Sequence, residues 1–284
     1  MEKAIIYQIF TRLFGNTNTT RKHNGTLTDN GCGKLNAFTP AVLRRIKELG
    51  ATHVWYTGVI RHATTTDYTR YGIPRQHPAV VKGNAGSPYA ITDYYDIDPD
   101  LATNVEKRMN EFESLVKRTH KAGLKMIIDF VPNHVARQYK STAKPKGIAD
   151  FGENDNTGMQ FSPQNNFYYC PEQSFAADID LYHGEELPYE EFPAKATGND
   201  CFGNRPGRND WYETVKLNYG VDYCDAGGVS THFSPTPDTW KKMLDILLFW
   251  AGKGVDAFRC DMAEMVPSAF WQWVTTEVRK KLTT

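Results

Sequence analysis

Four short runs of nearly unbroken apolar residues constrain this chain most: 4–10 (AIIYQIF), 52–60 (THVWYTGVI), 124–131 (LKMIIDFV) and 255–262 (VDAFRCDM). A strand with one wet face alternates, whereas continuous apolarity predicts parallel strands covered on both faces. Between the runs lie segments with helical spacing. Thr39 is placed to cap a helix over 40–49, with Pro40 in its first turn and Gly50 just past its end. The stretch 104–122 repeats apolar residues at Val105, Met109, Phe112, Leu115 and Val116, then stops at Gly123. Thr236 and Pro237 open a third helix, with Trp240, Met243, Leu244, Leu247, Leu248 and Ala251 on one stripe. A fourth, over 267–282, carries Phe270, Trp273, Val274 and Val278. Strand–helix alternation of this kind predicts a parallel α/β sheet.

The segment 134–235 breaks the alternation. It is rich in Gly, Pro, Asn, Asp and aromatic residues, lacks clear periodicity, and reads as a loop-built subdomain with aromatic packing. A complete (β/α)8 barrel takes about 250 residues before insertions. Here a large share of the 284 residues lies in the insert, and only four strand–helix units are visible. The expected fold is therefore α/β, of (β/α)8 TIM-barrel type, truncated after the fourth unit. Residues 1–133 would form the first part of the barrel, 134–235 the inserted subdomain, and 236–284 an incomplete continuation. A half-barrel would leave the flanks of its first and fourth strands open to pairing.

Charge narrows the function. Lys+Arg and Asp+Glu both number 33, so the formal net charge is zero. A nucleic-acid binder would show a basic excess or stripe. The longest apolar stretch, around 246–251, is far too short for a bilayer span. No signal-peptide pattern opens the chain, which gives a cytoplasmic expectation by default, or periplasmic or secreted if a signal has been removed. The five cysteines include no CxxC pair, so free thiols are expected, with one bridge among Cys170, Cys201 and Cys224 open in a secreted protein.

Chemistry concentrates at the ends of the third and fourth strands, where barrel enzymes place their sites. The third ends Asp129-Phe130-Val131-Pro132-Asn133-His134. Asp129 lies inside an apolar run and needs a partner if buried, whether it braces the next loop or serves a site. The fourth reads Phe258-Arg259-Cys260-Asp261-Met262-Ala263-Glu264. Arg259 and Asp261 are two apart and share a face. A fixed cation there would lower the Asp261 pKa and keep it ionised. Such a carboxylate suits attack on an anomeric carbon, and it equally suits a structural ion pair.

Taken together, these segments resemble the alpha-amylase superfamily of glycoside hydrolases. DFVPNH (129–134) is similar to its third-strand motif and FRCDMAEMVP (258–267) to its fourth. IYQIFTRLF (6–14) resembles the first strand, SPYAITDYYDIDPDLAT (87–103) the loop before the second helix, and KLNY (216–219) a short motif late in the insert. The resemblance implies that Asp261 is the nucleophile and that Arg259 orients it. Tyr89 would stack on the sugar, His134 would hydrogen-bond it, and Asp129 would anchor Arg259. Asn133 matches a calcium-ligating position, so a calcium site is implied there, with no organic cofactor. Glu264 and Met265 stand where relatives carry a basic residue and a histidine on the leaving-group side. Ser87-Pro88 replaces a His-Gly, and Ala90 an Asp.

The general-acid Glu and stabilising Asp of the family, which follow the fifth and seventh strands, have no counterpart here, and family logic gives Glu264 a binding role rather than the acid's. The implied activity is retaining hydrolysis of α-glucans such as starch and maltooligosaccharides, by a fragment inactive alone. Transglycosylation shares every motif seen, and a non-catalytic sugar-binding relative is the second class. The bland readings cover the rest. Trp55, Trp240, Trp250, Trp271 and Trp273 are expected in the core. Asn16, Asn18, Asn24 and Asp29 form a solvated loop, and Trp211 and Tyr212 are candidate sugar platforms.

Overall fold

The computed structural model describes residues 3–179 and 188–282, so 180–187 of the long insert lie outside the described residues. Its centre is a four-stranded parallel sheet in the order β1 (Ile6–Phe10), β2 (His53–Thr57), β5 (Lys125–Phe130) and β12 (Ala257–Cys260). Ile9, Tyr56, Ile128 and Phe258 lie in one row across the sheet, and Gln8, Trp55, Ile127 and Ala257 in the row of the opposite face. The first row meets the helical layer, where the Tyr56 and Thr119 hydroxyls pair at 2.8 Å. Ile9, Tyr56 and Ile128 are accordingly buried.

After a helical turn, α1 (Leu27–Asn30), that layer is built from α2 (Pro40–Glu48), α3 (Arg108–Lys121), α4 (Asp238–Gly252) and α5 (Ser268–Leu282). Thr39 caps α2 as expected, accepting from the Val42 amide, with Pro40 at N1. Thr236 does not cap α4: Pro237 stands at its N-cap and supplies no side-chain acceptor. The apolar stripe of α4 carries the core instead. Trp250 is fully buried, donates to the Tyr94 carbonyl at 2.8 Å, and meets Phe112 of α3 edge-on. Trp240 packs on Phe270 of α5.

Three expectations change. The run 52–60 is two strands: the chain turns at Gly58 (φ +76°) before β3 (Ile60–His62). A Cβ at Gly58 would come within 2.8 Å of the Pro88 ring, so glycine is required there. Within 87–103, expected as loop, Ile91–Ile97 forms β4, which pairs antiparallel with β3 across two register shifts. Its polar residues hid it from a hydropathy reading. They are buried as ion pairs, with Arg61 on Asp93 (3.0 Å) and Asp96 (2.9 Å), and Arg108 on Asp96 (2.7 Å). Finally, β1 is not covered on both faces. Ile6, Tyr7 and Phe10 are exposed and only Ile9 is buried, because β2 is the one strand beside it among the described residues.

The insert holds short antiparallel pairs: β6 (His134–Ala136) with β9 (Thr214–Lys216), β7 (Tyr169–Cys170) with β8 (Ala194–Lys195), and β10 (Val221–Asp222) with β11 (Ser230–Thr231). Aromatic contacts join them, as Tyr168 against Phe202 at 5.1 Å. Phe151, Phe167, Tyr169, Val215 and Leu217 belong to the same apolar cluster as Phe130 and Val131, so insert and sheet share one core. All five cysteines are unpaired.

Candidate active site

Strand register brings the candidate residues together. Arg259 of β12 lies directly beside Asp129 of β5. Asp261 follows β12, its amide donating to the Phe130 carbonyl, and Met262 in left-handed backbone (φ +48°) turns the chain away at once. A side-chain residue in that region signals local strain, and here it falls next to the candidate nucleophile. Arg259 donates a hydrogen bond to Asp261 Oδ1. Its guanidinium lies over Trp55 at 5.2 Å and Tyr89 at 5.4 Å, two rings that hold it by cation–π attraction.

Asp129 sits beneath this pair. Its carboxylate accepts from the Gly58 amide (2.8 Å) and from Trp55 Nε1 (3.1 Å), and Arg259 stands 3.8 Å away. Desolvation outweighs these partners and lifts its pKa to about 6, with the nearby Asp261 adding to the rise. Asp261 also shifts upward. Burial is the larger effect, Arg259 opposes it by hydrogen bond and charge, and Glu264 adds to the rise. The expected net lowering by Arg259 is therefore not what the structure has, since desolvation wins.

His134 is buried beside Asn133. The Asn133 Nδ2 group faces His134 Nδ1 at 3.2 Å and donates to the Gly198 carbonyl at 2.7 Å, while its Oδ1 accepts from Lys216 Nζ. That network fixes His134 Nδ1 as acceptor and leaves the proton on Nε2. Its pKa is pulled down to about 3, chiefly by burial, with the Lys216 charge contributing and the nearby Tyr89 backbone opposing. It is neutral, with Nδ1 facing the Asn133 amide. Trp211 meets it edge-on at 5.4 Å. The backbone of this corner is braced by Tyr94, whose hydroxyl donates to the Val131 carbonyl, and by Tyr219, which donates to that of Pro132.

The structure thus gathers Asp261, Arg259, Asp129, Tyr89 and His134 at one end of the sheet. Glu264 stands apart, exposed in a short 3-10 turn (Ala263–Met265), on the rim of a cavity of about 690 Å³ with Asp200, Tyr223, Phe233 and Trp271. Two participants were not foreseen. Trp55, expected as core, is half-buried and bonds Asp129; its signal was its two-residue offset from Thr57 on the face that Asp129 shares. Lys216 was visible only as a lysine between Val215 and Leu217. In the loop after β1, Asn16 and Asn18 donate to the Asn30 and Asp29 carbonyls, and Asp29 closes a capping box with Thr26.

The model of the alpha-amylase catalytic domain matches residues 8–282. Trehalose-6-phosphate hydrolase of Bacillus subtilis is 25% identical over 265 residues, covering 93% of this chain and 36% of the relative. Maltase A2 of Drosophila melanogaster is 24% identical over 270 residues, covering 92% and 35%. The chain thus spans about a third of the length of these curated relatives. Among solved structures, an alpha-amylase from Lactobacillus plantarum superposes with a TM-score of 0.54 at 24% identity, over 99% of this chain and 43% of that one. A cyclic α-maltosyl-(1→6)-maltose hydrolase from Arthrobacter globiformis gives 0.54 at 19% identity, over 98% and 48%. These neighbours imply a TIM-barrel-type α/β fold, in keeping with the parallel sheet.

Proposed function

The chain belongs to the alpha-amylase family of glycoside hydrolases, and on that premise we propose that it carries the nucleophile side of a retaining site for α-glucans. The observation that carries this reading is Asp261, buried at the end of β12 with its oxygen on the Arg259 guanidinium. In the proposed reaction the Asp261 carboxylate attacks the anomeric carbon. The glycosidic C–O bond breaks, the leaving oxygen takes a proton from a general acid, and a glycosyl ester remains on Asp261. Water then cleaves the ester with retention.

Arg259 offsets the burial of Asp261 and aims the attacking oxygen. Tyr89, partly exposed beside Arg259, is the platform for the sugar's apolar face. His134, neutral and close to Tyr89, is placed to donate its Nε2 proton to a sugar hydroxyl. Asp129 is a positioning residue, since both its oxygens are held by Trp55 and Gly58. Glu264 borders the leaving-group side. We assign the acid and the stabilising carboxylate to parts of a full eight-stranded barrel that these four strands do not supply, with 134–235 as the inserted subdomain.

A 5-fluoro-α-glucosyl fluoride tests this on the chain as it stands. Fluoride leaves without a proton, so the acid is bypassed, and the ring fluorine slows the second step. Intact mass should rise by one fluoroglucosyl group, mapped by peptide digestion to Asp261 and absent in Asp261→Asn. An adduct mapped to another residue, or one that persists in Asp261→Asn, refutes the nucleophile assignment.

A further inference from the structure

The Asn133 position, expected to ligate calcium, is filled by a side chain. Lys216 ends β9, and its pairing with His134 of β6 places it beside Asn133. Its side chain is 2% exposed. Nζ lies 2.5 Å from Asn133 Oδ1, 2.7 Å from Asp200 Oδ1 and 3.3 Å from the Met265 carbonyl. An ammonium has three donors, and here each has an acceptor. The three oxygens come from three segments: the corner after β5, the insert, and the turn that follows Asp261.

Those oxygens are the hard donors a calcium ion takes, but calcium needs six to eight at about 2.3–2.6 Å. Here the centre of the set is nitrogen, and one carboxylate already balances one ammonium. A divalent ion would face the Lys216 charge at contact distance with only Asp200 to neutralise both. The Asn133 amide cannot turn away to make room, because its Nδ2 is committed to the Gly198 carbonyl and His134. Asp200 is itself held in left-handed backbone (φ +66°) by a turn from the Thr197 carbonyl, which fixes where its carboxylate stands.

We propose that the Lys216 ammonium is a built-in cation standing in place of a divalent metal, tying the insert to the corner after β5 and to the turn beyond Asp261. A tethered cation cannot dissociate, so this junction is indifferent to chelators. The inference is independent of the glycosidase reading, because its test follows unfolding rather than turnover.

Thermal unfolding of the full chain, followed by circular dichroism in EDTA and in calcium chloride, tests it. Wild type should show the same midpoint in both, with no calcium heat by titration calorimetry. Lys216→Ala should unfold at lower temperature, and calcium should raise its midpoint, because the freed oxygens then accept a metal. Lys216→Gln, which keeps length and a donor, covers the case in which the alanine chain does not fold, and should also unfold lower. A wild-type midpoint that falls in EDTA overturns the proposal, as does a wild-type calcium isotherm that Asn133→Ala removes. Both variants matching wild type, or a folded Lys216→Ala chain unmoved by calcium, overturn it as well.

Discussion

Strands β5 and β1 belong to one parallel sheet and carry similar apolar residues, yet their surroundings differ completely. In β5, Met126, Ile127, Ile128, Asp129 and Phe130 are all buried, between β2 and β12 and under the helices. In β1 only Ile9 is buried, and Ile6 is 55% exposed. The contrast teaches that strand character is local while burial belongs to the neighbours. It also explains where the site lies: desolvation raises a carboxylate's pKa only where neighbours exclude water, and Asp129 sits on β5.

The contrast can be broken first by removing core volume. Ile128→Ala leaves a cavity between sheet and helices and should cost about 2–5 kcal/mol, read from urea unfolding. Ile128→Ala costing no more than a surface change would mean that β5 is not the centre of the core.

A second test uses Asp129 itself. Its folded pKa, about 6, lies above the unfolded value of about 3.9. The folded chain therefore binds this proton more tightly than the unfolded chain. Its contribution favours folding fully below about pH 4 and is lost as pH rises through 6, on the order of 3 kcal/mol. Because His134, with its pKa lowered to about 3, pulls the profile the opposite way, the reading is a difference: in urea unfolding, the stability of wild type relative to Asp129→Asn should fall between pH 4 and pH 7. Parallel pH profiles for the two chains would place the carboxyl's pKa elsewhere.

The smallest effect belongs to β1. Ile6→Ala removes an exposed side chain and should shift stability by no more than about 0.5 kcal/mol. A loss comparable with that of Ile128→Ala would mean that Ile6 is covered in solution by another surface, and would sharpen the comparison into a search for what covers it.

Much of the site was legible. Arg259 and Asp261 share a face by their spacing, and DFVPNH placed Asp129, Asn133 and His134 at a strand end. What stayed hidden were partners distant in sequence. Trp55 reaches Asp129 across 74 positions and Lys216 reaches Asn133 across 83. Strand β4 was hidden for another reason: its Asp93 and Asp96 lie in a stretch expected as loop, and Arg61 and Arg108, with the Ser141 hydroxyl and the Thr142 and Ala143 amides, make their burial tolerable.

By itself, the sequence determined the four parallel strands, the Thr39 cap and the apolar stripe of α4, whereas Asp261 as candidate nucleophile came from the family resemblance. Strands, cap and stripe each depend on residues near one another in the chain, through backbone geometry and side-chain periodicity. Tertiary structure alone decided that Asp261 shifts upward despite Arg259, that His134 is neutral, that β1 is open, and that an ammonium meets Asn133. These depend on desolvation and on charges brought together by folding, and both are set by which distant segments arrive at the same place.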